Sequence, residues 1–252
     1  MTTKQHKRLI YLLNWLDKFV YTVLSDPSIR VNRQKIILSS QVAKMHTTFG
    51  AIVILIQKGY GPDAMLLMRS MFNNLVNILW INTTDQKHRA ELFINYYKII
   101  RKNKLEIIKR YPERATIFSR LLTEEGDIYK TYSEINSDFP DIYRWSNKSI
   151  KQMSKEVGLL WDYDFVYPLA SSIEHADVES VDAHINQVDN QEKVINFQAG
   201  PSLRLIVESS IASAKYMMFA LEAYIDKFKI GKKFAKKLQR YDKRIAKHIK
   251  GL

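Results

Sequence analysis

The sequence has 252 residues and no cysteine, and it contains only eight glycines and six prolines. The lack of cysteine excludes disulfides, thiolate metal sites and cysteine nucleophiles. The scarcity of glycine and proline disfavours an architecture with many turns. Glycine-rich phosphate-binding loops and a Gly-x-Ser-x-Gly elbow are also absent, so we expect no bound cofactor.

Long uninterrupted apolar runs are missing too. The first residues, 1–19, have charges inside their apolar pattern, which is not typical of a signal peptide. The most apolar stretch, 36–56, is interrupted by Lys44 and His46, so it predicts a buried helix rather than a membrane span. We therefore expect a cytoplasmic protein, which fits the absence of cysteine.

Apolar residues at helical spacing dominate the chain and predict an all-α fold. We expect a single multi-helix bundle over residues 1–229 and a basic amphipathic helix over 230–252. Asp85 is a predicted helix cap, and either Ser146 or Asn147 is predicted to cap a short helix that ends at Gly158. The other predicted helices are 4–24, 33–58, 63–81, 85–110, 113–136, 161–175 and 201–228, with a short hairpin within 185–200.

Polar side chains recur every four residues on two of the apolar helices. Arg69, Asn73 and Asn77 share one face of the third helix. The helix over 161–175 has a similar stripe, formed by Tyr163, Tyr167, Ser171 and His175. If the two helices face each other, Arg69, Asn73, Tyr167, Ser171 and His175 line a shared pocket.

Such a pocket has the groups needed for metal-independent cleavage of RNA. His175 would be the general acid or base, and Arg69 would bind the phosphate. Tyr167, Ser171 and Asn73 would position the substrate. The same groups would also suit nucleotide binding without cleavage, or a buried hydrogen-bond network that fixes the helix register.

Acidic residues and histidines are concentrated after this stripe. Their spacing lacks a paired Glu-x-x-His or a His-Glu-x-x-His arrangement, so we predict solvent-facing acids and no metal site. The members of this acidic cluster are Glu174, His175, Asp177, Glu179, Asp182 and His184.

The positive charge is concentrated at the C-terminus. Of a net charge of +13, residues 226–252 contribute +9 and the other 225 residues +4. An apolar stripe is formed by Ile230, Phe234, Leu238, Tyr241, Ile245 and Ile249. The predicted nucleic-acid-binding cations are Lys232, Lys233, Lys236, Lys237, Arg240, Lys243, Arg244 and Lys247. This pattern favours RNA, another nucleic acid, a partner protein or a second copy of the chain over an anionic membrane surface.

Three segments resemble the bacterial family DUF5677, a domain of unknown function. They are the helix 63–74, the Trp145-Ser146 loop and the helix 163–175, and the resemblance spans about 36–228. It implies an all-α fold without an established activity. The family arginine falls on Arg69, its tyrosine on Tyr167, its serine on Ser171 or Ser172 and its histidine on His175. The family places a glutamate four residues after the arginine, where this chain has Asn73, so the internal Arg–Glu pair is lost.

The chain has a looser similarity to HEPN-type helical ribonucleases of toxin and phage-defence systems. Their arginine and histidine lie on one helix with four to six residues between them. The nearest pair here, Arg244 and His248, has three intervening residues, so these groups would have to come from different helices. Our leading hypothesis is an RNA-binding effector of such a system that acts as a metal-independent endoribonuclease. The alternative is a non-enzymatic module for protein interaction or oligomerisation.

Overall fold

A computed structural model describes residues 3–26, 33–113, 119–175, 181, 185–189, 194–197 and 200–249. The helices are α1 (Thr3–Leu24), α2 (Arg33–Lys58), α3 (Gly61–Asn82), α4 (Gln86–Arg110), α5 (Ser119–Thr123), α6 (Glu125–Ser133), α7 (Ile150–Glu156), α8 (Leu160–His175), α9 (Ile206–Phe228) and α10 (Lys232–Ile249). Strand β1 (Ile185–Asp189) pairs antiparallel with β2 (Val194–Phe197). The predicted all-α fold and the short hairpin are confirmed.

The chain divides into two compact units, and the first combines Met1–Trp80 with Ser154–Leu252. In this unit α9 packs mainly against α2, while α1 contacts α2, α9 and α10. Its core is apolar because each of these helices has a continuous buried stripe. Fully buried members of the core include Leu13, Val42, Phe49, Met217 and Leu221.

The second unit, Ile81–Met153, is built around α4 and α6. Leu92 and Ile99 of α4 form a buried cluster with Ile135 and Phe139, which follow α6. Trp145 packs edge-to-face on Phe93, with 4.9 Å between the ring centroids. The loop after α6 is therefore part of the core of this unit.

Within the described residues, α3 is long and apolar enough to span a membrane, with a mean hydropathy of 1.2. The protein itself buries 61% of that segment. Met68, Phe72, Leu75 and Val76 are each at most 1% exposed. Such burial is that of a core helix in a bundle, and it agrees with the central position predicted for this helix.

The turn between α2 and α3 is covered by the segment that precedes α9. Ser202 donates its backbone N–H to the Gly59 carbonyl over 2.7 Å. A Cβ atom on Gly61 would lie 1.9 Å from the Arg204 carbonyl oxygen. Glycine at position 61 thus allows two backbone segments to approach more closely than any side chain permits.

Several helix ends differ from their predictions. Asp85 precedes α4, but it has a left-handed backbone and its side chain makes no capping hydrogen bond. Ser149, rather than Ser146 or Asn147, caps α7, because Ser149 and Gln152 exchange backbone–side-chain hydrogen bonds as a capping box. Gly158 ends that segment with φ +76°, as predicted.

Two predicted helices are shorter than expected. The predicted helix 113–136 contains the separate helices α5 and α6, and residues 114–118 lie outside the described part of the chain. The helix predicted to start at residue 201 begins at Ile206, because 200–205 crosses the α2–α3 turn instead. Leu205, with φ +55°, directs the chain from this crossing into α9.

Candidate functional site

Arg69 of α3 contacts two residues of α8. Its Nη2 donates a 2.9 Å hydrogen bond to the Tyr167 hydroxyl, and Nη1 forms an ion pair with the Glu174 carboxylate. The guanidinium carbon lies 4.6 Å from the centroid of the Tyr167 ring. Because the Arg69 side chain is only 19% exposed, a buried guanidinium without these partners would be strongly destabilising.

Glu174 replaces the carboxylate that is missing at position 73. Asn73 cannot form the Arg–Glu pair of the family, as the sequence indicates, and Arg69 pairs with Glu174 instead. The carboxylate comes from α8 rather than from the next turn of α3. Glu174 was predicted to face solvent, and its side chain is 50% exposed, but its ion pair with Arg69 was not predicted from the sequence.

Asn73 lies one turn after Arg69 on α3. Its Oδ1 atom and the Nε atom of Arg69 are both buried and have no hydrogen-bond partner among the described residues. One is an acceptor and the other a donor, so a polar group placed between α3 and α8 could satisfy both.

Ser171 and His175 occupy the last turns of α8. Ser171 is partly buried and His175 is exposed. Within the described residues, neither forms a hydrogen bond or ion pair with Arg69 or Tyr167. The structure therefore joins Arg69 to Tyr167 and adds Glu174, which the sequence analysis did not include in this set.

An aromatic cluster lies beside these polar contacts. The Phe72 ring centroid is 5.9 Å from that of Tyr167 and 5.4 Å from that of Tyr216. Tyr163 and Tyr167 stack with centroids 4.8 Å apart. Packing of these rings fixes the position of the Tyr167 hydroxyl that meets Arg69.

A partly buried ion pair, absent from the sequence predictions, joins α8 to α9. Asp162 is only 5% exposed, and Lys215 Nζ donates to its two carboxylate oxygens over 2.8 and 3.0 Å. The Tyr216 hydroxyl donates to the same carboxylate over 3.3 Å. Burial and the Asp162 charge raise the pKa of Tyr216, so it stays protonated as a donor. Lys215 is the one cation within residues 206–225, and that isolation in an apolar helix was a usable signal for a carboxylate partner.

The charges around Arg69 are balanced. Glu174 neutralises the guanidinium, so a phosphate could bind there only if it displaced this carboxylate. The half-exposed Glu174 could accept a proton from a bound group, and His175 follows it directly in the chain. The arrangement is therefore complete as a link between two helices.

No group of three or more potential metal ligands occurs among the described residues. Of the acidic cluster, Glu174 and His175 are described, and both are exposed. Its other four members, at positions 177, 179, 182 and 184, lie outside the described residues.

The C-terminal helix α10 buries its apolar stripe within the same chain. Phe234, Leu238, Tyr241 and Ile245 are between 1% and 6% exposed. Tyr241 stacks on Trp15 of α1 with ring centroids 5.0 Å apart, and its hydroxyl donates to the Leu12 carbonyl over 3.1 Å. The prediction that this helix docks through its stripe and exposes its charges is confirmed.

All eight predicted cations of α10 are exposed. None of them forms an ion pair with a residue that the structure describes. At about 100° per residue they fall within an arc of about 140° on one side of the helix. The opposite flank holds Ala235, Gln239, Asp242 and Ala246, so the charge is one-sided.

His248 lies at the edge of the buried stripe and is 6% exposed. Burial and the nearby Arg8 charge lower its pKa below the usual value. Arg244 is exposed, whereas His248 faces the α1 helix. Of these two residues, whose spacing is nearest to the HEPN pattern, one is therefore exposed and the other buried.

Residues 35–193 match a family described as Family of unknown function (DUF5677). The match covers more than half of the chain, so the protein belongs to this family. It includes Arg69, Tyr167 and Glu174, and it stops before α9 and α10. No curated protein and no solved structure gives a significant match.

Proposed function

We propose that the protein binds RNA through the exposed cations of α10. The observation that supports this proposal is the combination of a buried apolar stripe with eight exposed cations that no described acid neutralises. A positive surface of this kind attracts a polyanion, because neutralising phosphates releases the counterions condensed around the nucleic acid.

Docking of the stripe distinguishes this proposal from two alternatives. A basic amphipathic helix binds a membrane surface by inserting its apolar face. In α10 that face is occupied by Trp15 and Phe19 of α1, so insertion would require the helix to detach. A partner protein using the same apolar seam would have to displace α1 in the same way.

The test compares two sets of four neutralising substitutions with equal change in net charge. The first set removes four α10 cations that lie away from the stripe, by Lys236→Gln, Arg240→Gln, Lys243→Gln and Lys247→Gln. The control set removes four exposed lysines elsewhere, by Lys44→Gln, Lys58→Gln, Lys87→Gln and Lys104→Gln. Binding of fluorescent RNA is measured over a series of salt concentrations.

We expect the α10 set to weaken binding much more than the control set. The slope of log affinity against log salt should become shallower by about 0.7 for each phosphate contact that is lost on a single strand. Equal losses in both sets would contradict the proposal, because they would reflect only net charge. Lack of RNA binding by the unmodified protein would also refute it and would favour the protein-interaction or oligomerisation module.

A second proposal is metal-independent cleavage of the bound RNA between α3 and α8. The observation in its favour is that Arg69, Tyr167 and Glu174 converge beside two unpartnered buried polar atoms. In this reaction the 2′-hydroxyl attacks the adjacent phosphorus and gives its proton to Glu174 or His175. The bond to the 5′-oxygen breaks, and that oxygen takes a proton from the other of these two groups, leaving a cyclic phosphate and a free 5′-hydroxyl. A role in a toxin or phage-defence system rests on the HEPN-like resemblance and belongs to this second proposal.

Cleavage is tested by incubating total bacterial RNA with the protein, with His175→Ala and with Glu174→Gln, each with and without chelator. Asp164→Asn, at an exposed position earlier on the same helix, is the control. Cleavage that survives chelator and is lost in either variant would support the acid–base role. Intact RNA under all conditions would refute cleavage and would leave RNA binding by α10 unaffected.

A further inference from the structure

Helices α1 and α10 run antiparallel along their shared seam. Phe19 of α1 contacts Phe234, with ring centroids 6.1 Å apart, and Trp15 stacks on Tyr241. Arg8, further towards the start of α1, influences His248 near the end of α10. Residues later in α10 thus lie beside residues earlier in α1. Residue 11 lies at about the level of residue 244.

The cations of α10 lie on the side that adjoins α1. Lys237, at the edge of the charged arc, has its Nζ atom 5.8 Å from the centroid of the Phe19 ring on α1. Asp242, on the opposite flank, lies beside α9, where its charge contributes to raising the pKa of Glu222. The charged arc therefore borders a groove between α1 and α10, and the neutral flank faces α9.

The α1 side of this groove has its own exposed row. Lys4, Tyr11 and Lys18 are all exposed and are spaced seven residues apart, so they lie along one line of the helix. This line adjoins Leu12 and Trp15, which contact Tyr241 across the seam. Two lysines beside a strongly basic helix repel its charges, and an anion bound in the groove would relieve this repulsion.

Tyr11 interrupts this row of lysines with an aromatic ring that is 63% exposed. An exposed ring between cations is the arrangement with which proteins bind unpaired bases, because every base can stack on a ring while its phosphate contacts a cation. A duplex has no unstacked base to offer to such a ring.

We infer that the groove between α1 and α10 binds single-stranded RNA, with phosphates along the α10 cations and a base stacked on Tyr11. This inference rests on the proposed RNA binding by α10. It adds a second helix, a stacking residue and a preference for unpaired strands. Lys4 and Lys18 contribute phosphate contacts on the α1 side.

The chain offers a matched control for Tyr11. Tyr21 lies on the same helix and is 65% exposed, but its ring is 6.5 Å from that of His46 on α2, away from the groove. The experiment measures binding of a single-stranded oligouridylate and of an RNA duplex of equal length to the full chain, to Tyr11→Ala, to Tyr11→Phe and to Tyr21→Ala. Thermal midpoints are recorded to confirm that each variant is folded.

We expect Tyr11→Ala to weaken oligouridylate binding about tenfold, within the range measured for stacking residues. Tyr11→Phe and Tyr21→Ala should bind as the unmodified protein does, and duplex binding should be equal in all four. Equal oligouridylate affinities for Tyr11→Ala and Tyr21→Ala would overturn the inference and leave RNA binding by α10 standing. Equal losses of duplex and single-strand binding in Tyr11→Ala would overturn the single-strand assignment. If the unmodified protein binds neither RNA, both this inference and the proposed function are overturned.

Discussion

Arg69 donates a 2.9 Å hydrogen bond to the hydroxyl of Tyr167 and thereby links the middle of α3 to the middle of α8. We expect Arg69→Ala to lower the free energy of unfolding by about 1–3 kcal/mol, because the Tyr167 hydroxyl and the Glu174 carboxylate both lose their partner. Tyr167→Phe removes one hydrogen bond and should lower the free energy of unfolding by about 0.5–1.5 kcal/mol. Urea denaturation measures both changes. The exposed Arg244, replaced by alanine, is the control, and a loss of stability there equal to that of Arg69→Ala would contradict the link.

The ion pair between Asp162 and Lys215 supports a second stability prediction. Asp162→Asn keeps the shape of the side chain but leaves Lys215 without a negative charge, so we expect a loss of about 1–3 kcal/mol. The loss should fall in the lower part of that range, because Lys215 is 36% exposed and solvent screens its charge.

A double-mutant cycle isolates this interaction. In a Lys215→Met background, Asp162→Asn should have a smaller effect, because the unbalanced cation is then absent. Asp164→Asn, at an exposed position two residues further along α8, serves as the control. Equal effects of Asp162→Asn in both backgrounds would rule out coupling between the two side chains.

Gly61 is predicted to be intolerant of any side chain. Gly61→Ala would place a methyl group 1.9 Å from a backbone oxygen, so two backbone segments must separate. We expect a loss of about 1–3 kcal/mol or more, as for overpacked sites. In contrast, a Cβ atom at Gly126 would meet nothing within 4 Å, and Gly126→Ala should stabilise the protein by about 0.4–1 kcal/mol. If the close approach at Gly61 is correct, the thermal midpoint should fall in Gly61→Ala and rise in Gly126→Ala.

The lowered pKa of His248 predicts a loss of stability in mild acid. The folded protein favours the neutral imidazole, so the unfolded chain binds more protons as the pH falls below the usual histidine value of about 6.5. The free energy of unfolding should therefore decrease from pH 7 to pH 5. His248→Asn cannot titrate, and its stability should change less over this interval.

The comparison between these two proteins removes the contribution of other titrating groups. Glu222 has a raised pKa and therefore acts in the opposite direction at lower pH, but it is present in both proteins. Parallel curves of stability against pH would show that His248 is not the titrating group.

Helix positions followed closely from the sequence because apolar spacing and breakers act locally. The limits of α2 agree with their prediction. Helix α1 ends shortly before Pro27, and the glycine-containing turn at Gly59–Gly61 separates α2 from α3. Asp85 failed as a cap because its backbone is left-handed, and the start of α9 was shifted by a crossing segment. The second difference depends on how the chain packs against a turn that is distant in the sequence.

The candidate site was less accessible to sequence reasoning. Spacing of four residues identified Arg69 and Tyr167 as members of two polar stripes. It does not determine which residue of one helix lies opposite which residue of the other. Glu174 was therefore missed as the partner of Arg69, since its pairing depends on the register of α8 against α3. Asp162 was missed because an acid in the first turn of a helix normally faces solvent and favours the helix dipole.

The docked stripe of α10 has a consequence for how strongly its cations can bind. A disordered basic segment must be immobilised by its ligand, which costs about 1–2 kcal/mol of backbone entropy per residue. In α10 that ordering is completed when the chain folds, so the cations are preorganised before any polyanion arrives. The affinity for a polyanion should therefore depend on seam residues such as Tyr241 that never touch it. If the seam is loosened, α10 must be ordered during binding, and the entropy lost in that ordering weakens the affinity.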